Sequence, residues 1–153
     1  MATQLQSLSK LFNEKLFRIP DYQRGYAWGK RQVSDFWSDL VDLDAEKKHY
    51  AGVITVEEVL PEKWKAWGDD LWLIKSKGYT AYYVVDGQQR LTTAIILIQC
   101  FIESIGAISE KLNHSSSREI AKRYISDTPD SGVVRSYMFG YEELNPSYDF
   151  IRQ

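Results

Sequence analysis

Between Tyr79 and Leu91 the chain changes its hydrophobic period, and few folds accommodate such a change at one place. Residues 79–85 are aromatic or β-branched except for Ala81, the composition of a strand. From Leu91, apolar residues recur at Ile95, Ile98, Ile102 and Ile105, a spacing of four, three, four and three that belongs to a helix running from about Gln88 to Ile105. The switch falls on Asp86-Gly87. A strand that turns on a glycine into a helix leaves the first N–H groups of that helix unpaired, with the positive end of its dipole beside them, so anions bind there. Asp86 is positioned as N-cap and Gln89 as the second half of a capping-box-like pair, while Gly87 permits positive φ or close approach by a ligand. Arg90, at the first turn, carries a guanidinium able to hold phosphate through two parallel bonds. The same spacing also suits a plain cap and tight turn, and no complete Walker or dinucleotide glycine pattern accompanies it.

Upstream, Leu5, Leu8, Leu11 and Phe12 outline a short amphipathic helix, and Leu16-Phe17-Arg18-Ile19 reads as a strand stopped by Pro20. Arg18, Arg24, Lys30 and Arg31 then interleave with Tyr22, Tyr26 and Trp28, against the single acidic Asp21. Guanidinium groups for phosphate and flat rings for a base suit a nucleotide; the alternative is that the rings anchor the loop on the core. Residues 31–46 predict a helix with Val33, Phe36, Trp37, Leu40, Val41 and Leu43 on an inner face. Its Asp35 and Asp39 are read as a solvated acidic face and are assigned no chemistry. Ala51 to Val59 predicts a strand in which Gly52 allows close approach, Leu71 to Lys75 another, and Ser76-Lys77-Gly78 a hairpin turn into Tyr79–Val85. A helix capped near Ser117 should follow a loop at Asn113–Ser116, a short extended piece should cover Val133–Phe139, and Asn145-Pro146 should open a helix. Only Ser147 to Gln153 follow, so the sequence reads as cut from a longer protein.

Asp86-Gly87-Gln88-Gln89-Arg90-Leu91-Thr92-Thr93, together with Ile19-Pro20-Asp21-Tyr22-Gln23-Arg24-Gly25-Tyr26-Ala27-Trp28 upstream, closely resembles the N-terminal domain of GmrSD-type, modification-dependent restriction enzymes. Tyr50-Ala51-Gly52-Val53-Ile54 is similar to that family's middle strand, and Tyr141 to Tyr148 to its closing motif. The resemblance implies an α+β fold with a ParB/sulfiredoxin-like core at about 1–110, holding a small mixed sheet and a strand-turn-helix phosphate-binding motif, plus a helical extension at about 111–153. It implies a single domain that binds and hydrolyses a nucleoside triphosphate (GTP, ATP or CTP) with Mg²⁺ and controls cleavage of foreign DNA. Asp21, Tyr22, Gln23, Arg24, Tyr26, Trp28, Gly87, Gln88, Gln89, Arg90, Thr92 and Thr93 would then form the nucleotide site. Asp86, Gln89, Arg90 and Arg24 would be catalytic, with Asp86 holding the metal; whether Asp86 caps the helix or binds metal stays open at this point. Two other readings are a DNA-binding or modified-base-sensing module without hydrolysis, and a ParB-like nuclease acting through Asp86 and Arg90.

Composition narrows the partners. A net charge of −2 and a pI near 5.7 leave no broad electrostatic footprint for nucleic acid, so DNA contact is expected through the full-length protein, whose nuclease lies in a C-terminal region or partner subunit. Homo-oligomerisation is compatible with the sequence. The lone Cys100 is expected as a buried structural thiol within the apolar helix, and one cysteine with two histidines gives no zinc site. The polar N-terminus and the absence of an apolar run of about 18 residues give the expectation of a cytoplasmic protein.

Overall fold

The computed structural model describes residues 4–106 and 116–153. Its elements form a small mixed sheet with helices packed around it, an α+β arrangement. The sheet is built around β1 (Lys15–Ile19), which is buried from Leu16 onward and ends at Pro20, where the missing N–H stops the ladder. Two strands flank β1 in parallel: β3 (Thr80–Asp86) on one side and β6 (Phe139–Tyr141) on the other. β2 (Thr55–Glu58) pairs antiparallel with the outer side of β3, giving the order β2-β3-β1-β6. Leu16, Phe17, Ile19, Val84, Phe139 and Tyr141 from three strands meet Phe12, Leu91 and Ile95 in one core. Of these, Leu91 and Ile95 come from α5 (Gln88–Gly106), the long helix that follows β3 after the single residue Gly87.

Several elements depart from the sequence reading. The first helix, α1, is a single turn at Leu8–Leu11 capped by Ser7, and Leu5 lies outside it, fully solvated. α2 (Lys30–Val41) stops short of residue 46, and its apolar stripe is not buried: Val33, Trp37 and Val41 are exposed, while Phe36 makes edge contacts with Trp28 and His49. Periodicity marks a stripe but says nothing about what covers it. The expected strand at Leu71–Lys75 is a helix, α4 (Leu71–Lys77), reached through α3 (Pro61–Trp64) and a 3₁₀ turn at Gly68–Asp70. Lys75 and Lys77 face the negative end of its dipole, and Gly78, at φ +72°, closes it as a left-handed cap. Ser76-Lys77-Gly78 is therefore a helix end, and the antiparallel partner of β3 is β2.

The later part of the chain is not a helical extension. The helix α6 (Ser117–Tyr124) is present, with Ser116 and Glu119 forming a reciprocal capping box. It is followed by a small β4–β5 ribbon (Ser126–Asp127 and Ser136–Tyr137) and then by β6, a strand of the main sheet. Residues 139–141 are thus core, although the fragment lies beyond the expected core boundary at about 110. Asn145-Pro146 opens a turn and a 3₁₀ segment at Asp149–Ile151 in place of an α-helix. The expected loop at residues 113–115 lies outside the described residues. Cys100 is exposed: it is nine residues after Leu91, about half a revolution round the helix from that buried side chain.

Candidate functional site

The backbone turn between β3 and α5 is fixed by Gly87 at φ +83°. A Cβ there would stand 2.8 Å from the Val53 carbonyl oxygen and 3.2 Å from Ile54 Cα, so both the dihedral and the crowding require glycine. The Gly87 N–H donates to Asp86 Oδ1 at 2.8 Å. Asp86 therefore caps the turn itself, and the expected pairing with Gln89 as a capping box does not form. The N–H groups of Gln88, Gln89 and Arg90, one turn from the helix start, have no carbonyl four residues back within the helix.

Gln89 is used elsewhere. Its side chain, 6% exposed, donates from Nε2 to the Gly25 carbonyl at 3.0 Å and accepts the Ala27 N–H on Oε1 at 2.8 Å. Gln23 mirrors this from the loop, donating to the Val85 carbonyl and accepting from Gln88 Nε2, both at 3.2 Å. The loop after Pro20 is thus clipped onto the strand-to-helix turn by three glutamines. The segment after β6 holds the same loop from its other side. Asn145, 3% exposed, donates from Nδ2 to the carbonyls of Pro20 and Gln23, each at 2.9 Å, and Ser147 Oγ accepts the Tyr26 N–H at 2.9 Å. Glu142 Oε2 accepts the Asp21 N–H at 3.1 Å.

Between the clipped loop and the turn lies a cleft of about 310 Å³ lined by Gln23, Arg24, Trp28, Asp86, Gly87, Gln88, Gln89 and Arg90. Arg24 and Arg90, 66 positions apart in sequence, open on the same cleft. Both are exposed, and among the described residues neither forms an ion pair or a hydrogen bond. Asp86 is the one acidic residue in the lining. Trp28 stands at the edge, its ring braced edge-on by Phe36 with centroids 5.9 Å apart.

Other expected site residues are placed elsewhere. Thr92 is fully buried and shares a hydrogen bond with the Tyr141 hydroxyl at 3.1 Å. Thr93 gives its hydroxyl hydrogen to the Gln89 carbonyl, so the Tyr26 hydroxyl donates to Thr93 Oγ1 at 2.9 Å. The Tyr26 ring stacks on Phe150 with centroids 5.3 Å apart. Thr92 faces the core side of α5 with Leu91 and Ile95, roughly half a turn from Arg90, while Thr93 is buried under the loop with its hydroxyl held by the Gln89 carbonyl and Tyr26. Tyr22 is 70% exposed and outside the lining of the cleft. Asp21 lines a second, larger cleft of about 540 Å³ on the other side of the loop, together with Trp67, Asp70 and Glu142. Arg18, one of the four basic residues singled out in the sequence, is 2% exposed beneath this second cleft. It pairs with Asp70 and donates to the carbonyls of Phe17 and Tyr137, so it is structural.

Tyr83 and Tyr141 flank the closing segment, and both hydroxyls are held above their ordinary range. Burial is the main cause in each; for Tyr83 its hydrogen bond to Glu142 Oε1 adds to the effect. The roles of Asn145 and Ser147 escaped the sequence reading. Asn145 followed by proline carried the signature of a helix cap, and its two carbonyl partners lie more than 120 positions away.

Fold and site together define an α+β domain in which a loop and a glycine turn are clipped around a cleft carrying two arginines without side-chain partners among the described residues. The chain belongs to the family described as GmrSD restriction endonuclease, N-terminal domain, which matches residues 8–148. A comparison with curated proteins finds no match. Among the described residues no helix is long and apolar enough to cross a membrane.

Proposed function

We propose that this domain binds a nucleoside triphosphate in the Arg24–Arg90 cleft and hydrolyses it, and that hydrolysis regulates a DNA-cleaving region outside this chain in a restriction system. The observation that carries the reading is the pair of guanidinium groups without partners among the described residues, opening on one cleft at the start of α5. Two arginines beside a helix N-terminus suit an anion, and a polyphosphate carries enough charge to engage both. Trp28, braced by Phe36, offers the base a ring to stack on.

In the reaction, water adds to the γ-phosphorus as the bridging P–O bond to the β-phosphate breaks, yielding the diphosphate and inorganic phosphate. Arg24 and Arg90 offset the charge that develops on the phosphoryl oxygens, and the first-turn N–H groups orient the chain of phosphates. Asp86 is the residue that would hold Mg²⁺. One of its oxygens is occupied by the Gly87 N–H, and no group of three or more His, Cys, Asp or Glu side chains among the described residues forms a cage. That donor set fits an ion brought by the nucleotide, held by a single carboxylate and the phosphates. When bound, Mg²⁺ supplies charge neutralisation at the phosphates.

The test is phosphate release from GTP, ATP and CTP with Mg²⁺, alongside nucleotide titrations of the wild type, Arg24→Ala and Arg90→Ala. Each substitution should weaken binding by about 1.5–3 kcal/mol, the range for a hydrogen bond to a charged group. Each should leave the melting temperature of the ligand-free domain nearly unchanged, since neither exposed side chain has an ion-pair or hydrogen-bond partner among the described residues to lose. Binding without release would make the domain a nucleotide sensor; no binding to any triphosphate would refute the reading.

A further inference from the structure

The segment 50–54 lies against the start of α5 and meets two residues that line the cleft, Gly87 and Arg90. Val53 places its carbonyl against Gly87, as described above. One residue earlier, Gly52 lies at φ +96°, and a Cβ built on it would stand 2.6 Å from Arg90 Nη1, 3.2 Å from Cζ and 3.7 Å from Cδ. The Arg90 side chain therefore runs along the Gly52 backbone for most of its length, in space that any other residue would fill. Arg90 has no carboxylate partner among the described residues, and its guanidinium lies against the surface left by Gly52.

We infer that Gly52 is a positioning residue for Arg90, and that segment 50–54 is part of the phosphate site although it contributes no charged group. The inference rests on the reading of Arg90 as a phosphate ligand. An arginine has many rotamers, and holding it in one before the ligand arrives removes that ordering cost from binding. A side chain at position 52 would drive the guanidinium off the backbone and out of register with Arg24.

The experiment titrates the domain with inorganic tripolyphosphate, which removes base preference from the result. Gly52→Ala should weaken binding about tenfold or more, the loss expected when a charge-assisted contact is misplaced. Gly78→Ala supplies the control: that glycine also has positive φ, at +72°, but nothing lies within 4 Å of its Cβ position, so it carries backbone strain without displacing an arginine. It should leave tripolyphosphate binding unchanged. In an Arg90→Ala background, Gly52→Ala should have no further effect on binding. Should Gly52→Ala fail to fold, Arg90→Lys tests the same point in a native backbone, because it keeps the charge but loses the flat group that lies along Gly52; it too should bind several-fold more weakly. Binding by Gly52→Ala or Arg90→Lys at wild-type strength, with Arg90→Ala impaired, would overturn the positioning role and leave the phosphate site standing. Wild-type strength in Arg90→Ala itself would overturn both.

Discussion

At the scale of single residues, the side chains around the cleft divide into those that open on it and those that hold the loop. Arg24 and Arg90 stood out in the sequence as arginines beside turn residues, and the structure brings both to one cleft, whereas Arg18 from the same basic stretch is buried against Asp70. Asn145 did not stand out, because its partners are backbone carbonyls, and a sequence does not display which carbonyl comes near which amide. Tyr26, Thr92 and Thr93 fall inside otherwise informative motifs yet serve packing, so a motif string alone does not separate ligand contacts from the bonds that shape the loop. The loop-holding role makes a distinct prediction. Asn145→Ala strips the donor from two carbonyls and the acceptor from the Ser147 N–H, all in a buried setting. It should destabilise the domain by about 2–3 kcal/mol, or roughly 4–12 °C in melting temperature for a chain of this size. Asn145→Asp keeps the shape but sets a carboxylate against the two carbonyls, and should be at least as severe. A thermal melt of the two variants that superimposed on the wild type would remove Asn145 from the loop's support.

At the scale of elements, the period switch located β3, the turn and α5 closely, because burial on both faces of a strand and along one side of a helix leaves a pattern in the residues themselves. The same logic misread α4: Leu71-Trp72-Leu73-Ile74 is a short apolar run, which periodicity alone cannot assign, and the deciding signals were the lysines and Gly78 at its end. What joins the elements is less visible still. The Tyr83 hydroxyl on β3 donates to Glu142 beyond β6, and Lys77 at the end of α4 pairs with Asp127 on β4. Tyr82, Tyr83 and Tyr141 all bind their protons more tightly in the fold than as free side chains, chiefly through burial, and Lys77 does so through its hydrogen bond to Asp127. For groups with a raised folded-state pKa the stabilisation is complete below the unfolded value and is lost as pH climbs through the folded one. The domain should hold its melting temperature through neutral pH and lose it progressively above about pH 10. Tyr83→Phe should start lower, lacking the bond to Glu142, and decline less steeply over that window. Melts from pH 8 to 11 showing parallel curves for the two proteins would contradict Tyr83 as a source of the alkaline loss.

For the whole molecule, the question is how a domain from a restriction-endonuclease family relates to DNA. The chain carries 19 Lys and Arg against 21 Asp and Glu, and several of the positive side chains are engaged by acidic ones. Arg18 is buried against Asp70, Lys77 and Lys122 both approach Asp127, and Lys47 pairs with Asp44. Arg24 and Arg90 share one cleft, a geometry suited to one compact polyanion more than to a duplex, whose phosphates are spread along a rod. Counterion release, the main source of non-specific affinity, needs several phosphates neutralised together. The isolated domain should therefore bind unmodified duplex more weakly than about 1 μM at physiological salt, with a shallow dependence of affinity on salt concentration. It should also bind no better when the duplex is lengthened beyond the footprint of the cleft. Excess nucleotide should displace whatever DNA is held, because both would compete for Arg24 and Arg90. Fluorescence anisotropy with labelled duplexes, repeated across a salt series and again with each triphosphate, separates the cases. A sub-micromolar affinity with a steep salt slope, indifferent to nucleotide and to the Arg24→Ala and Arg90→Ala substitutions, would mean that DNA is read by a different face of the domain.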